Sequence, residues 1–191
     1  MHRSAGVYLG YIMNYILNTA AVALLCCVAL PGQAVAIEAG QPAPAFEVSY
    51  DDSKVLRSAD LAGSIIIITC ESRDTVDINK LFKDALLQTF TADERLRRNI
   101  ALVPVVDCFA YPWPIKGFCV RGVQKNARSL NLQLYVDMSG KMFTDYGAES
   151  DTSTVVIIDR NATVRYAQSG RIPDGDIAGL MELISTFAPA Q

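Results

Sequence analysis

Histidine is nearly absent from this chain of 191 residues, whose only imidazole belongs to His2. His2 falls within the leader described below, so the remaining domain has no histidine. Without imidazole there is no Ser–His or Cys–His nucleophile pair, and no histidine ligand for zinc or copper. This absence excludes most hydrolases, metalloproteases and copper chaperones of this size. We therefore expect no metal site and no cofactor.

The sequence also lacks an excess of positive charge. It holds 17 basic and 20 acidic side chains, for a formal net charge of −3. A protein that binds nucleic acid needs a basic surface to meet the phosphate backbone. The one basic cluster, RLRR at 95–98, directly follows Asp93 and Glu94 and is typical of a solvated helix end. We therefore expect no nucleic-acid partner, and instead an exported protein partner of unknown identity.

The first 36 residues are poor in charge and rich in apolar side chains. They contain one charged side chain, Arg3, and an almost unbroken apolar run over 7–30. A Pro-Gly pair then ends any helix, and small residues precede a site suited to signal peptidase. The pattern predicts an export signal cleaved between Ala36 and Ile37. One domain, residues 37–191, would then lie in the periplasm.

Two alternatives to this cleavage stay open. In the first, translation begins at Met13 rather than Met1. The apolar run is also long enough to remain in the bilayer as an inner-membrane anchor, with the domain facing the periplasm. An uncleaved leader is the only membrane contact that we expect.

The order of the predicted elements indicates an α/β fold. Two apolar runs are typical of central parallel strands buried on both faces: 64–70 and 100–108. Shorter segments predict the other strands: a hairpin over 45–56, a strand over 132–137 and a hairpin over 153–168. Apolar side chains at helical spacing predict three helices: about 75–90, about 120–132 and 174–187, the last capped by Asp174. Together they predict a three-layer sandwich around a mainly parallel sheet, with an antiparallel C-terminal hairpin and an N-terminal hairpin extension.

Three segments, in order along the chain, resemble a known fold. They are GQPAPAFEV at 40–48, LRSADLAGSIIIITC at 56–70 and DYGAESDTSTVVIIDRNATVRYAQSGRI at 145–172. They resemble the opening segment, first central strand and closing hairpin of the thioredoxin fold in its redoxin version. Within that superfamily, residues 102–184 are most similar to the YtfJ-like proteins, which are small exported bacterial proteins. The resemblance covers most of residues 38–188.

The resemblance implies an active site that this sequence has lost. The two redox cysteines of the superfamily align with Asp74 and Asp77, and the cis-proline that faces them aligns with Ser153. A non-proline bond prefers trans by roughly 2.5–4 kcal/mol, so we expect the substrate-holding turn to have changed shape. Asp74 and Asp77 more simply serve as cap and dipole complement of the following helix. The leading hypothesis is therefore a non-catalytic binding or accessory module.

Three cysteines follow the leader: Cys70, Cys108 and Cys119. A structural disulfide between Cys108 and Cys119 would close a loop of about a dozen residues and contribute about 3 kcal/mol. A reversible bond, or no bond, are the alternatives. Cys70 ends a buried strand, where a free cysteine is usually inert. The rival hypothesis is an atypical thiol–disulfide oxidoreductase or thiol peroxidase that uses Cys70, with Arg73 lowering its pKa, or the Cys108–Cys119 pair.

The segment between Cys108 and Cys119 is rich in aromatic side chains. It contains Phe109, Tyr111 and Trp113 among two prolines and a glycine, and we expect it to be irregular. These aromatic side chains are candidates for a partner-binding surface. They would equally well pack back over the end of the sheet.

Overall fold

The computed structural model describes residues 37–50, 54–130 and 132–188. The predicted leader up to Ala36 and the turn at 51–53 lie outside the described residues. Seven strands are present: β1 Glu47–Tyr50, β2 Lys54–Arg57, β3 Ile65–Glu71, β4 Ile100–Asp107, β5 Tyr135–Asp137, β6 Thr154–Ile158 and β7 Val164–Ser169. Within the described ranges five α-helices accompany them: α1 Lys80–Ala92, α2 Glu94–Asn99, α3 Ile115–Leu130, α4 Lys141–Asp145 and α5 Ile177–Phe187. In the described part of the chain, no helix combines the length and apolarity needed to cross a bilayer.

All seven strands belong to one sheet, in the order β2-β1-β5-β4-β3-β6-β7. The pairs β3–β4 and β4–β5 are parallel, and the other four neighbouring pairs are antiparallel. The prediction of a mainly parallel sheet is therefore wrong, because the sheet is mixed. Parallel neighbours need a crossover, which α1 and α2 supply between β3 and β4, and α3 supplies between β4 and β5. The predicted N-terminal hairpin is present as β1 and β2, and it extends the sheet at one edge, where β1 pairs with β5 through Ser49 and Val136.

Strand β3 is the centre of the core because its run of isoleucines is buried on both faces. Ile65 and Ile67 contact a cluster formed with α1, α2 and α5. Ile66 and Ile68 point to the opposite face, where the short helix α4 and the coil before β1 complete the second cluster. Helical cover on that second face is thus limited to five residues, and the proline-punctuated N-terminal segment supplies the rest.

Helix α1 begins five residues later than predicted. Residues 73–79 form turns, and the helix starts at Lys80. The Thr75 hydroxyl accepts a hydrogen bond from the Ser72 backbone N–H at 2.8 Å, which holds this segment as a turn. The helix has no side-chain cap at its N-cap residue, Asn79. Asp74 and Asp77 therefore do not cap α1, contrary to the prediction.

The other helices also differ from their predicted bounds. Helix α3 starts at Ile115, within the segment predicted to be irregular, because Pro112 and Pro114 precede its first turn, where a missing N–H is tolerated. Helix α5 starts at Ile177, after a 3-10 turn over Asp174–Asp176. Asp174 does not cap it, and instead accepts a hydrogen bond from Arg171 at 3.0 Å.

Candidate functional site

The junction between β3 and α1 lies at the carboxyl edge of the parallel strands, the edge where α/β proteins commonly bind ligands. Glu71 ends β3, Asn79 precedes α1, and Ser153 precedes the neighbouring strand β6. The antiparallel pairing of β3 with β6 sets Cys70 opposite Thr154, which brings Glu71 beside Ser153. All three polar side chains, Glu71, Asn79 and Ser153, are buried. Buried polar groups need partners, and these residues find them in one another.

A chain of hydrogen bonds joins these side chains, and we call it the junction network. The Asn79 amide donates to Ser153 Oγ at 2.9 Å, and Ser153 Oγ donates to Glu71 Oε1 at 2.9 Å. Lys83, from the first turn of α1, donates to the two carboxylate oxygens of Glu71 at 2.9 and 3.0 Å. Lys83 also donates to the backbone carbonyl of Val76. The buried carboxylate is thus neutralised by an ammonium and a hydroxyl.

Asn79 also ties the network to the segment after β7. Its amide donates to the Gly170 carbonyl at 3.0 Å, and its side-chain oxygen accepts from the Ile172 N–H at 2.9 Å. In the described residues, no buried side-chain nitrogen or oxygen lacks a partner. The network therefore joins three segments by hydrogen bonds within the protein: the end of β3, the turn before α1 and the residues after β7.

Asp74 and Asp77 lie apart from this network. Both are exposed to solvent on the outside of the turns, whereas Thr75 between them is buried. The structure therefore does not bring them together with Ser153, and Glu71 and Asn79 take that place. The bond before Ser153 is trans, and the cis bond among the described residues is Trp113–Pro114.

Glu71 and Asn79 were missed by the sequence analysis, although each carries a signal. Glu71 lies on the same face of β3 as Ile65 and Ile67. The signal is a single acidic residue at the end of a strand that is otherwise apolar and buried. Asn79 lies three residues before the fully buried Phe82, on the stripe that faces the core. A polar side chain at a core-facing position implies a buried partner.

Cys70 is fully buried and points to the face opposite the junction network. It belongs to the cluster that contains Ile66, Ile68 and Val103. Burial raises its pKa strongly, and the negative charges of Asp137, Glu71 and Asp107 raise it further. Arg73 is exposed and is not among the groups that shift this pKa. The thiol is therefore neutral at physiological pH, and it is out of reach of a macromolecular substrate.

Cys108 and Cys119 form a disulfide, with their Cα atoms 5.8 Å apart. Cys108 follows the last residue of β4 and is fully buried, while Cys119 lies in α3 and is half-buried. The bond therefore joins the carboxyl end of a central strand to the helix that follows it. This is the disulfide that the sequence predicted, and it closes the segment between the two cysteines.

The aromatic side chains between the two cysteines face solvent. Trp113 is 82% exposed and Phe118 is 65% exposed, and Phe109, Tyr111 and Ile115 are exposed as well. We call these five residues the 109–118 surface. The Phe109 ring lies against Gly140, just after β5, so this side chain partly packs over the sheet end. Trp113, the most exposed of the three predicted aromatic side chains, faces solvent, and the partner-binding alternative remains a prediction to test.

A cleft of about 630 Å³ lies at the ends of β4 and β5, lined in part by Asp107, Phe109 and Lys141. Asp107 accepts hydrogen bonds from two loop N–H groups and from the Ser150 hydroxyl at 2.6 Å. Asp137, at the end of β5, accepts hydrogen bonds from two N–H groups of the loop that leads into α4 and from the Phe143 N–H within α4. These buried carboxylates therefore hold loops in place. Among the described residues, no three His, Cys, Asp or Glu side chains are grouped to bind a metal.

Comparisons with solved structures show the fold. A protein from Chlorobium tepidum described as the thiol:disulfide interchange protein DsbE matches with a TM-score of 0.60 and 17% identity, over 81% of this chain and 100% of that one. A protein from Bacteroides thetaiotaomicron described as a protein disulfide isomerase matches with a TM-score of 0.57 and 19% identity, over 80% and 91%. A thiol-disulfide isomerase from Corynebacterium glutamicum matches with a TM-score of 0.55 and 17% identity, over 78% and 98%.

These likenesses establish that the chain has a thioredoxin-like fold. No protein-family model matches the sequence. No curated protein matches it either. The expected thioredoxin-like α/β fold is thereby confirmed, with a mixed sheet in place of a mainly parallel one.

Proposed function

We propose that this chain is an exported, periplasmic protein of the YtfJ-like type that acts as a non-catalytic binding or accessory module. The observation that carries the proposal is the junction network, which fills the β3–α1 junction with Glu71, Ser153 and Asn79 and contains no thiol. Thiol–disulfide exchange needs an accessible thiolate. Cys70 does not meet that need, because it is buried on the other face with a raised pKa. Binding then occurs through the 109–118 surface.

Reduction of insulin by dithiothreitol tests this proposal. We expect the protein to leave the rate at that of dithiothreitol alone, and peroxide consumption to stay at background. Cys70→Ser should behave as the unsubstituted protein in both assays. Catalytic turnover that disappears in Cys70→Ser would show that the module is an enzyme.

A second candidate function is redox exchange through the Cys108–Cys119 pair. Cys119 is half-buried in α3 and adjoins the exposed Phe118, so a substrate held on the 109–118 surface would lie near a sulfur. In its reduced form the pair would transfer two electrons to a substrate disulfide. One thiolate attacks a substrate sulfur, the second resolves the mixed disulfide, and the Cys108–Cys119 bond forms.

The same insulin assay decides between the two candidates. Under the redox hypothesis, turnover is present in the unsubstituted protein and in Cys70→Ser, and absent in the double variant Cys108→Ser with Cys119→Ser. Under the binding-module proposal, all three proteins give the rate of dithiothreitol alone. The matched Cys70→Ser variant controls for the general effect of losing a sulfur.

A further inference from the structure

Helix α3 concentrates positive charge in an acidic protein. It contains four basic side chains and no acidic one, in a chain whose formal net charge is −3: Lys116, Arg121, Lys125 and Arg128. The exposed residues Phe118, Arg121 and Lys125 follow one another at helical spacing on its outward face. The inward face is formed by apolar residues such as Val123, which pack on β4 and β5. The free side of α3 is therefore both basic and apolar.

The basic and aromatic side chains on this side are interleaved. The Arg121 guanidinium lies over the Phe118 ring, 4.6 Å from its centroid. The Trp113 ring and Arg121 both approach Gly117, within 3.4 and 3.5 Å of where a Cβ would be. The Lys116 ammonium lies 4.6 Å from the centroid of the Phe109 ring. The 109–118 surface and the basic face of α3 thus form one continuous patch.

The largest apolar side chains of this patch protrude rather than line a hollow. The neighbouring cleft is lined by Phe109, but not by Trp113, Ile115 or Phe118. A protein partner would have to supply its own pocket for the protruding Trp113 indole. The headgroup region of a bilayer accepts an indole without a preformed pocket, and tryptophan is enriched there.

We propose that this patch docks on an anionic lipid surface, which names the partner of the binding module proposed above. Arg121 and Lys125 meet the phosphates of the headgroups. Trp113 and Phe118 enter the boundary between headgroups and acyl chains, as the apolar side chains of interfacial helices do. Charge complementarity decides the kind of lipid, because residues 109–130 contain four basic side chains and no acidic one, whereas the rest of the protein has an excess of acidic side chains.

Trp113 is the only tryptophan of the chain, so its fluorescence reports on this patch alone. The full-length protein is titrated with vesicles of phosphatidylcholine alone, and with vesicles that also contain phosphatidylglycerol. We expect the emission maximum to shift to shorter wavelength only with the anionic vesicles, and high salt to reverse the shift. The leader carries Arg3 and would itself favour anionic vesicles, but it contains no tryptophan, so attachment through the leader alone would leave the emission maximum unchanged.

Charge variants give the quantitative test. Each Lys or Arg near an anionic surface contributes roughly a five-fold gain in partitioning, so Arg121→Gln with Lys125→Gln should weaken vesicle binding about 25-fold. The matched control is Arg97→Gln with Arg98→Gln, which removes the same charge from the exposed end of α2. Phe118→Ala should also weaken binding, without changing the helix content.

Three results would overturn the inference. The first is an emission maximum that stays constant with anionic vesicles, and the second is equal weakening in both double charge variants. The third is a shift that proteins of the exported fraction produce and vesicles do not, which would make the partner a protein. Insulin turnover is measured separately, so this inference and the non-catalytic proposal can fail independently.

Discussion

Replacing Asn79 by Ala tests whether the junction network is a structural brace. The change removes the amide bonds to Ser153 and Gly170 and the bond that Asn79 accepts from Ile172. The Ile172 N–H is then left buried without a partner, which costs about 1–3 kcal/mol, and the lost bonds to Ser153 and to the half-buried Gly170 carbonyl add about 1 kcal/mol each. We therefore expect the free energy of unfolding to fall by about 3–5 kcal/mol.

Urea unfolding followed by far-ultraviolet circular dichroism measures this loss. The matched control is Asn99→Ala, because the Asn99 amide makes a hydrogen bond of 2.8 Å to the Arg95 carbonyl at the half-buried end of α2. That variant should lose less than about 1 kcal/mol. If Asn79→Ala loses no more than the control, the network is not a brace and the reasoning fails.

The remaining predictions concern the disulfide, an acidic turn and a left-handed glycine. Cys108→Ser with Cys119→Ser should lower the free energy of unfolding by about 3 kcal/mol through loop-closure entropy, and an unchanged urea midpoint would contradict this. Although burial raises the pKa of Asp159, N–H donors and Arg165 hold that pKa below its usual value. The stabilisation by Asp159 is therefore complete above the pKa that this group has in the unfolded chain, and it is lost as pH falls through the pKa in the folded protein. In acid, the free energy of unfolding of Asp159→Asn should therefore depend less on pH than that of the unsubstituted protein. Gly140→Ala should cost about 1–2 kcal/mol in chemical denaturation, because φ is +74° and a Cβ would meet the Phe109 ring at 2.5 Å.

The central strands were predictable because their signal is local. Ile65 to Ile68 form a continuous β-branched run, which suits only a strand covered on both faces, and the structure buries all four. The C-terminal hairpin was predictable for the same reason. Its turn differs in detail, since Ala162 and not Asn161 takes the left-handed conformation, with φ at 57°.

Features that depend on distant contacts were not predictable. The pairing of β1 with β5 follows from how the hairpin docks, which no local pattern encodes. Helix α4 has five residues, too few for a helical period to show. Asn79 bonds Ser153 and Gly170, which lie 74 and 91 positions away in sequence. Such long-range bonds determine which side chains meet at the candidate site.

The central claim is that no reactive thiol serves the carboxyl edge of this fold. Alkylation of the native protein, purified without reductant and mapped by peptide mass spectrometry, tests it most directly. We expect Cys70 to stay unlabelled until denaturant is added, and Cys108 and Cys119 to be recovered as one disulfide-linked peptide. Labelling of Cys70 in the folded protein, at the rate of an exposed thiol, would show that a reactive thiol is present.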